Sequence, residues 1–116
     1  MKVPGACFVL ILACASAPTR GPGACATPAD RAEILQVQVG WNRKDAESLA
    51  NDLLAQCTRG ASMESLQDRY SEVPAGSVVV GRQAKVPFKA VALCLRKNEC
   101  ALVRGNVAFH VLKRIG

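Results

Sequence analysis

Val86-Pro87-Phe88-Lys89-Ala90-Val91-Ala92-Leu93-Cys94-Leu95, a polar turn Arg96-Lys97-Asn98-Glu99, then Cys100-Ala101-Leu102-Val103, a second turn Arg104-Gly105-Asn106, and finally Val107-Ala108-Phe109-His110-Val111-Leu112-Lys113-Arg114-Ile115: this stretch decides the fold. Pro87 suits a first helical position, where its missing N–H is not needed, and Phe88, Val91, Ala92 and Leu95 follow at helical spacing. The later runs are short, rich in β-branched residues and bounded by turn residues, so they read as two strands joined tightly. One helix and a hairpin are predicted, with the only histidine of the chain, His110, on the last strand.

Working outward, Ala32 to Val39 alternates as a strand should, with Glu33, Leu35, Val37 and Val39 on one face and Ile34, Gln36 and Gln38 on the other. Gly40 ends it. A helix follows with Asn42 as N-cap, Asp45 completing a capping box and Trp41 as a hydrophobic staple. Ala46, Leu49, Ala50, Leu53, Leu54 and Cys57 make its apolar stripe, and Gly60 closes it. Ser62 caps a shorter helix that buries Met63, Leu66 and Tyr70 and ends near Glu72. Pro74-Ala75-Gly76 is a turn, and Ser77 to Val80 is a short strand before Gly81. The order strand, helix, helix, strand, helix, strand, strand predicts an α+β domain: a four-stranded antiparallel or mixed sheet flanked by about three helices.

The chain has 116 residues, half of them apolar and 4% aromatic, which suffices for one domain with a core of aliphatic side chains. Its net charge of +6 is unevenly spread. From Arg82 to Gly116 eight Lys or Arg face the single acid Glu99, whereas Cys25 to Gly81 holds five basic and eight acidic residues. The basic residues stand singly among apolar ones, without a nucleic-acid motif, so they read as a solvated face and no nucleic-acid partner is expected.

Met1-Lys2, an apolar run through Ala13 and the small residues that follow have the form of a secretory signal over residues 1–13, too short to span a bilayer as a mature helix. Ile11-Leu12-Ala13-Cys14 is similar to a bacterial lipobox, which would make Cys14 a lipidated residue and attach the protein to a membrane; cleavage after Ala17 is the alternative. The predicted location is therefore the bacterial periplasm, free or lipid-anchored. Residues 14–30, rich in Pro, Gly, Ala and Thr, read as a flexible tether, leaving residues 31–116 as the domain.

Of six cysteines, Cys25, Cys57, Cys94 and Cys100 follow the leader segment. They contain no Cys-x-x-Cys pair and have one distant histidine, so a zinc site is not expected. Two readings remain open for them: disulfides in an oxidising compartment, with Cys94 and Cys100 close enough in sequence to staple helix to hairpin, or small apolar core residues. No nucleotide loop, metal cluster or nucleophile triad appears, and no cofactor is expected.

The order of elements resembles the parvulin family of peptidyl-prolyl cis/trans isomerases. Leu66 to Glu72 with its Tyr-Ser-Glu ending resembles the close of that family's second helix. Gly81-Arg82-Gln83-Ala84 followed by Val86-Pro87-Phe88 resembles its Gly-x-x-Met and Pro-Phe segment, and Phe109-His110-Val111-Leu112 its closing strand. The resemblance implies a proline-gripping pocket with Phe88, Ala84 and Val78 binding substrate and with His110 and Glu33 as the polar, catalytic pair. It also implies clients that are proline-containing segments of unfolded or exported proteins.

The chain departs from the family pattern at several positions. Glu33 stands where a first-strand histidine is usual, Val73 where a cysteine or aspartate is usual, and Ala84 where a methionine is usual. Two functions follow as expectations: an isomerase of weakened activity, or a non-catalytic peptide-binding module of the same fold with a groove rimmed by Arg82, Lys85 and Lys89. Alone on a strand, a histidine is by default a buried, hydrogen-bonded residue, and Glu33 by default a solvated charge. Paired as in parvulins, Glu33 would lie beside His110 and raise its pKa.

Overall fold

The computed structural model describes residues 25–116. The expected signal over 1–13, the lipidation at Cys14 and the first part of the tether lie outside the described residues. Seven elements follow in the order β1 (Arg31–Gly40), α1 (Ala46–Thr58), α2 (Met63–Tyr70), β2 (Ser77–Gly81), α3 (Lys89–Ala92), β3 (Cys100–Arg104) and β4 (Ala108–Arg114). The strands form one antiparallel sheet in the order β2-β1-β4-β3, an α+β architecture. Among the described residues no helix is long and apolar enough to cross a membrane.

Strand alternation creates two cores. Leu35, Val37 and Val39 of β1, with Phe109 and Val111 of β4, pack under α1 and α2 through Ala50, Leu53, Cys57, Met63 and Leu66. On the opposite face Ala32, Ile34, Val80, Val103 and Leu112 pack with Phe88, Val91, Ala92, Leu93 and Leu95 from the α3 segment. A β-sheet has its period of two to offer to each layer, and β1 and β4, buried on both faces, accordingly carry apolar residues at most odd and even positions.

Helix boundaries differ from expectation at two places. The first helix begins at Ala46, after Asp45 adopts a left-handed φ of 56° and makes no side-chain cap, so Asn42 is not its N-cap and Asp45 completes no capping box. Residues 42–45 are instead spent on a turn, with Arg43 N–H donating to Gly40 O and Ala46 N–H to Arg43 O. The Arg43 guanidinium, donating to Tyr70 O at 2.9 Å and 3.6 Å from Glu72, ties that turn to the end of α2. Trp41 leaves the helix altogether and meets Phe109 and Arg104.

The other difference is α3, a single turn where a helix through Leu95 was expected. Phe88, Val91, Ala92 and Leu95 are all buried as their spacing predicted, but the Leu93 carbonyl accepts from Ala29 N–H at 2.8 Å and the following amides reach back only three residues. Ser62 and Gly60 behave as read: Ser62 Oγ accepts from Ser65 N–H at 3.2 Å, and Gly60 closes α1 at φ 95°.

The cysteines form two disulfides, Cys25–Cys94 and Cys57–Cys100, so Cys94 and Cys100 are not joined to each other. The second fastens α1 to the start of edge strand β3. The first fastens residues 25–30, which the sequence assigned to the tether, onto the end of α3, where the Ala29–Leu93 bond and an Arg82–Asp30 ion pair at 3.0 Å hold them as well.

Candidate functional site

The short α3 covers only part of its face of the sheet. Beyond it, at the end of β1 away from Arg31, that face carries Gln36 and Gln38, both half-buried, with His110, itself buried, opposite Gln38; Val78, opposite Ile34 and 42% exposed, lies at the margin nearer Arg31. Phe88 enters from the chain just before α3, its ring centroid 5.1 Å from that of His110. The imidazole lies between Phe88 on one side and Gly105 of the β3–β4 turn on the other. An added Cβ at Gly105 would come within 2.9 Å of His110 Nε2 and 3.0 Å of Ala108 O, so the turn needs a residue without a side chain to let the ring in.

His110 Nδ1 lies 3.0 Å from Gln36 Oε1. With the amide oxygen accepting, Nδ1–H donates and Nε2 holds the lone pair. Burial lowers the pKa of His110 below its ordinary 6.5, because removal from water penalises the imidazolium. The site is therefore built around a neutral, oriented imidazole.

Glu33 is not its neighbour. The register pairs Gln38 with His110, and five residues of strand place Glu33 about 17 Å further along β1. Odd positions of β1 also point to the α1 and α2 side, so Glu33 sits on the opposite face of the sheet, where its Oε2 accepts from Ser77 Oγ at 2.6 Å. The expected rise in the His110 pKa fails for the same reason: the group beside the ring is an uncharged amide.

Of the other residues singled out, Phe88 and His110 are brought together, Val78 lies on the same face, and Ala84 packs half-buried against the Phe88 cluster. Phe88 is only 2% exposed, so its ring is already occupied by the protein's own packing. Two of the three basic residues expected to rim this face lie elsewhere. Arg82 and Lys89 instead flank an apolar cleft of about 280 Å³ on the outer side of α3, beside Pro28 and the Cys25–Cys94 disulfide, and Lys89 Nζ donates to Arg82 O at 3.0 Å.

Three residues that matter to the geometry were not singled out as site residues. Gln36 orients His110, and Gly105 admits it. Gln67, 3% exposed, uses its whole amide: Nε2 donates to Gln36 O and Gly76 O at 2.9 and 3.0 Å, and Oε1 accepts from Gly76 N–H at 3.2 Å. Gln67 thereby fixes both the strand that carries Gln36 and the turn that leads into β2. The available signal for Gln36 was its place beside Gln38, two amides on the even-numbered face of β1 where Ala32 and Ile34 are apolar. Among the described residues no group of three or more His, Cys, Asp or Glu is placed to hold a metal ion.

Comparison of the chain with family models, with curated proteins and with solved structures returned no match.

Proposed function

We propose that this chain is a parvulin-like folding helper that holds extended, proline-containing segments of exported proteins on the α3 face of the sheet and turns Xaa-Pro bonds over slowly. The observation that carries this reading is the placement of Phe88, His110 and Val78 on one side of a β2-β1-β4-β3 sheet, Phe88 and His110 buried against each other and Val78 exposed at the margin. The two disulfides support the oxidising compartment in which such clients are found. Lipidation at Cys14 would keep the helper at the membrane where those clients emerge.

Isomerisation must cross a barrier of roughly 20 kcal/mol because the planar amide is resonance-stabilised. Catalysis requires no covalent step, only groups that favour the twisted amide over the planar one, in a site that excludes water. The neutral imidazole and the Gln36 and Gln38 amides are the polar groups at hand. They offer dipoles and hydrogen bonds but no charge, and Phe88 must swing out of its packing before it can grip a pyrrolidine ring. These two features favour weak turnover, with peptide holding as the larger role, and they are the specific support for the non-catalytic module as the second reading.

A protease-coupled assay on Xaa-Pro tetrapeptides, run beside an NMR titration with an unfolded, reduced client, tests the proposal. Slow turnover that falls on Gln36→Leu, with client-induced shifts at Val78, Gln38 and His110, supports it. Client binding without turnover selects the module. Absence of both would sink the reading.

A further inference from the structure

Among the described residues β2 is an edge strand, paired with β1 alone, and no other strand lies against its outer side. Its five residues, Ser77-Val78-Val79-Val80-Gly81, contain neither a charge nor a proline, the devices by which sheet edges are ordinarily kept from pairing with other chains. Val79, at the centre, is 58% exposed. The other edge of the same sheet is protected: Cys100 of β3 is tied to α1, and Arg104 at its far end stacks its guanidinium over Trp41 and Phe109 at 5.0 and 5.6 Å from the ring centroids.

The direction of the free backbone groups follows from the ladder. Glu33, which lies opposite Val79, donates its N–H to Gly116 O and accepts from Ile115 N–H, both at 2.8 Å, so its backbone points toward the β4 side. In an antiparallel ladder this makes Glu33 and Val79 a pair without mutual hydrogen bonds, and the Val79 N–H and C=O therefore point outward from the sheet. The same parity sends the backbone groups of Ser77 and Gly81 outward, the Gly81 carbonyl being already engaged by Ala84 N–H at 3.1 Å.

We propose that this edge pairs with the β2 edge of a second copy of the chain, antiparallel about a two-fold axis at Val79, making one continuous sheet across the dimer. Self-pairing fits the edge in three ways. The outward residues 77, 79 and 81 are symmetric about Val79, so each Val79 exchanges both backbone hydrogen bonds with its counterpart, and the Gly81 N–H of one copy meets the Ser77 carbonyl of the other. The two exposed Val79 side chains become direct cross-strand neighbours.

The third fit is electrostatic. Arg31, opposite Gly81 and exposed, has no hydrogen bond or ion pair among the described residues, while the Glu33 carboxylate is held at Ser77. Two-fold pairing sets Gly81 of one copy against Ser77 of the other, and because Gly81 has no side chain, Arg31 can reach across it to the carboxylate of the other copy's Glu33. The symmetry makes this contact twice. A client strand would satisfy the backbone equally well, but it would not supply that matched carboxylate.

The test is sedimentation equilibrium on the full purified chain across a concentration series, with amide hydrogen exchange at Val79 and Gly81 followed in parallel. The expected result is a monomer–dimer equilibrium in which protection of the Val79 amide rises with protein concentration. Val79→Pro, which removes the outward N–H, should leave a monomer with an unchanged melting temperature. Arg31→Glu should weaken the dimer about tenfold through its two symmetric contacts, and Arg31→Glu with Glu33→Arg should recover it. A chain that stays monomeric at several hundred micromolar overturns the proposal. So does a dimer indifferent to both Val79→Pro and Arg31→Glu, or Val79 protection that appears only on adding an unfolded client at constant monomer mass. Because the exchange measurement uses the unaltered protein, misfolding of a variant does not blunt the test.

Discussion

Removing the Cys57–Cys100 disulfide, by the double substitution Cys57→Ala and Cys100→Ala, is predicted to be among the costliest paired changes the fold can receive. The bond joins residues 43 apart in sequence. In the chain-entropy treatment, closing a loop of that size in the unfolded ensemble stabilises the folded state by about 4 kcal/mol. In the native state the cross-link relieves little by breaking, since Cys57 is buried in α1 beneath Leu53 and Leu66 and β3 is bonded along its length to β4.

The contrast with Cys25–Cys94 sharpens the test. That bond closes a longer loop, 69 residues, and the same treatment gives it slightly more, about 4.4 kcal/mol. Its native partner, however, is an irregular segment ahead of β1, held by the Ala29–Leu93 bond and an exposed ion pair, which can loosen once released and so recover entropy in the folded state too. Opening Cys57–Cys100 should therefore cost about 4 kcal/mol, and opening Cys25–Cys94 distinctly less, despite the larger loop. Urea unfolding followed by the single tryptophan and by helical circular dichroism measures both. In a domain of this size the larger loss corresponds to roughly 15–30 °C in melting temperature. A loss below about 1 kcal/mol at Cys57–Cys100, or a ranking that follows loop length, would refute the reasoning.

Four further outcomes are expected. Gly105→Ala, whose Cβ would meet His110 Nε2 at 2.9 Å, should destabilise the fold by about 1–3 kcal/mol and shift the His110 ring signals in an NMR spectrum. Gln67→Leu leaves the Gln36 carbonyl and both Gly76 backbone groups without their partner; a loss of about 2–4 kcal/mol in denaturant unfolding is expected, and a neutral result would show that water replaces the amide. Phe88→Ala should cost about 3–5 kcal/mol as a buried aromatic truncated to a cavity, so Phe88→Leu is the variant to carry into activity assays; a loss under 1 kcal/mol in a thermal melt would mean the ring is not the packing element described. With its folded pKa lowered, His110 contributes stability that is full above about pH 6.5 and is lost as pH falls through the lower folded value, and its NMR midpoint should not move in Glu33→Gln; a midpoint above 6.5, or one dependent on Glu33, would contradict the geometry.

Much of the fold was legible because it rests on local periods. The alternation of Ala32 to Val39, the stripe Ala46 to Cys57 and the punctuation by Gly60 and Ser62 each have one physical reading, and the elements appear where those readings put them. The start of α1 was misread because Asn42 and Asp45 form a cap pattern in sequence that competes with a turn held from outside, by Arg43 on Tyr70 and Glu72. The length of α3 was misread because the bond that stops it comes from Ala29, far away in the chain.

The site was less legible, since it depends on register. The alternation of β1 already put Glu33 on the face away from Gln36 and Gln38, and the expectation of a Glu33–His110 pair set that alternation aside in favour of a resemblance. Phe88 and His110 could be named from the sequence, but that they would close on each other depends on how deeply Phe88 sits in the second core. The cysteine pairing likewise depended on tertiary placement, with Cα–Cα separations of 5.6 and 6.3 Å between residues that sequence spacing gives no reason to join.

The Cys25–Cys94 bond also decides how the domain bears mechanical load. Tension entering from the N-terminal side crosses at Cys25 directly to Cys94 and does not run up into β1, so it cannot peel the strand that lies second in the sheet away from its neighbours. Pulled between its ends, the oxidised chain beyond Cys25 can lengthen only through residues 94–116, about 80 Å of contour, against about 320 Å once both disulfides are reduced. In a single-molecule stretching experiment the reductant should therefore release a long hidden length, and everything from β1 to α3 should remain unstretched until it does.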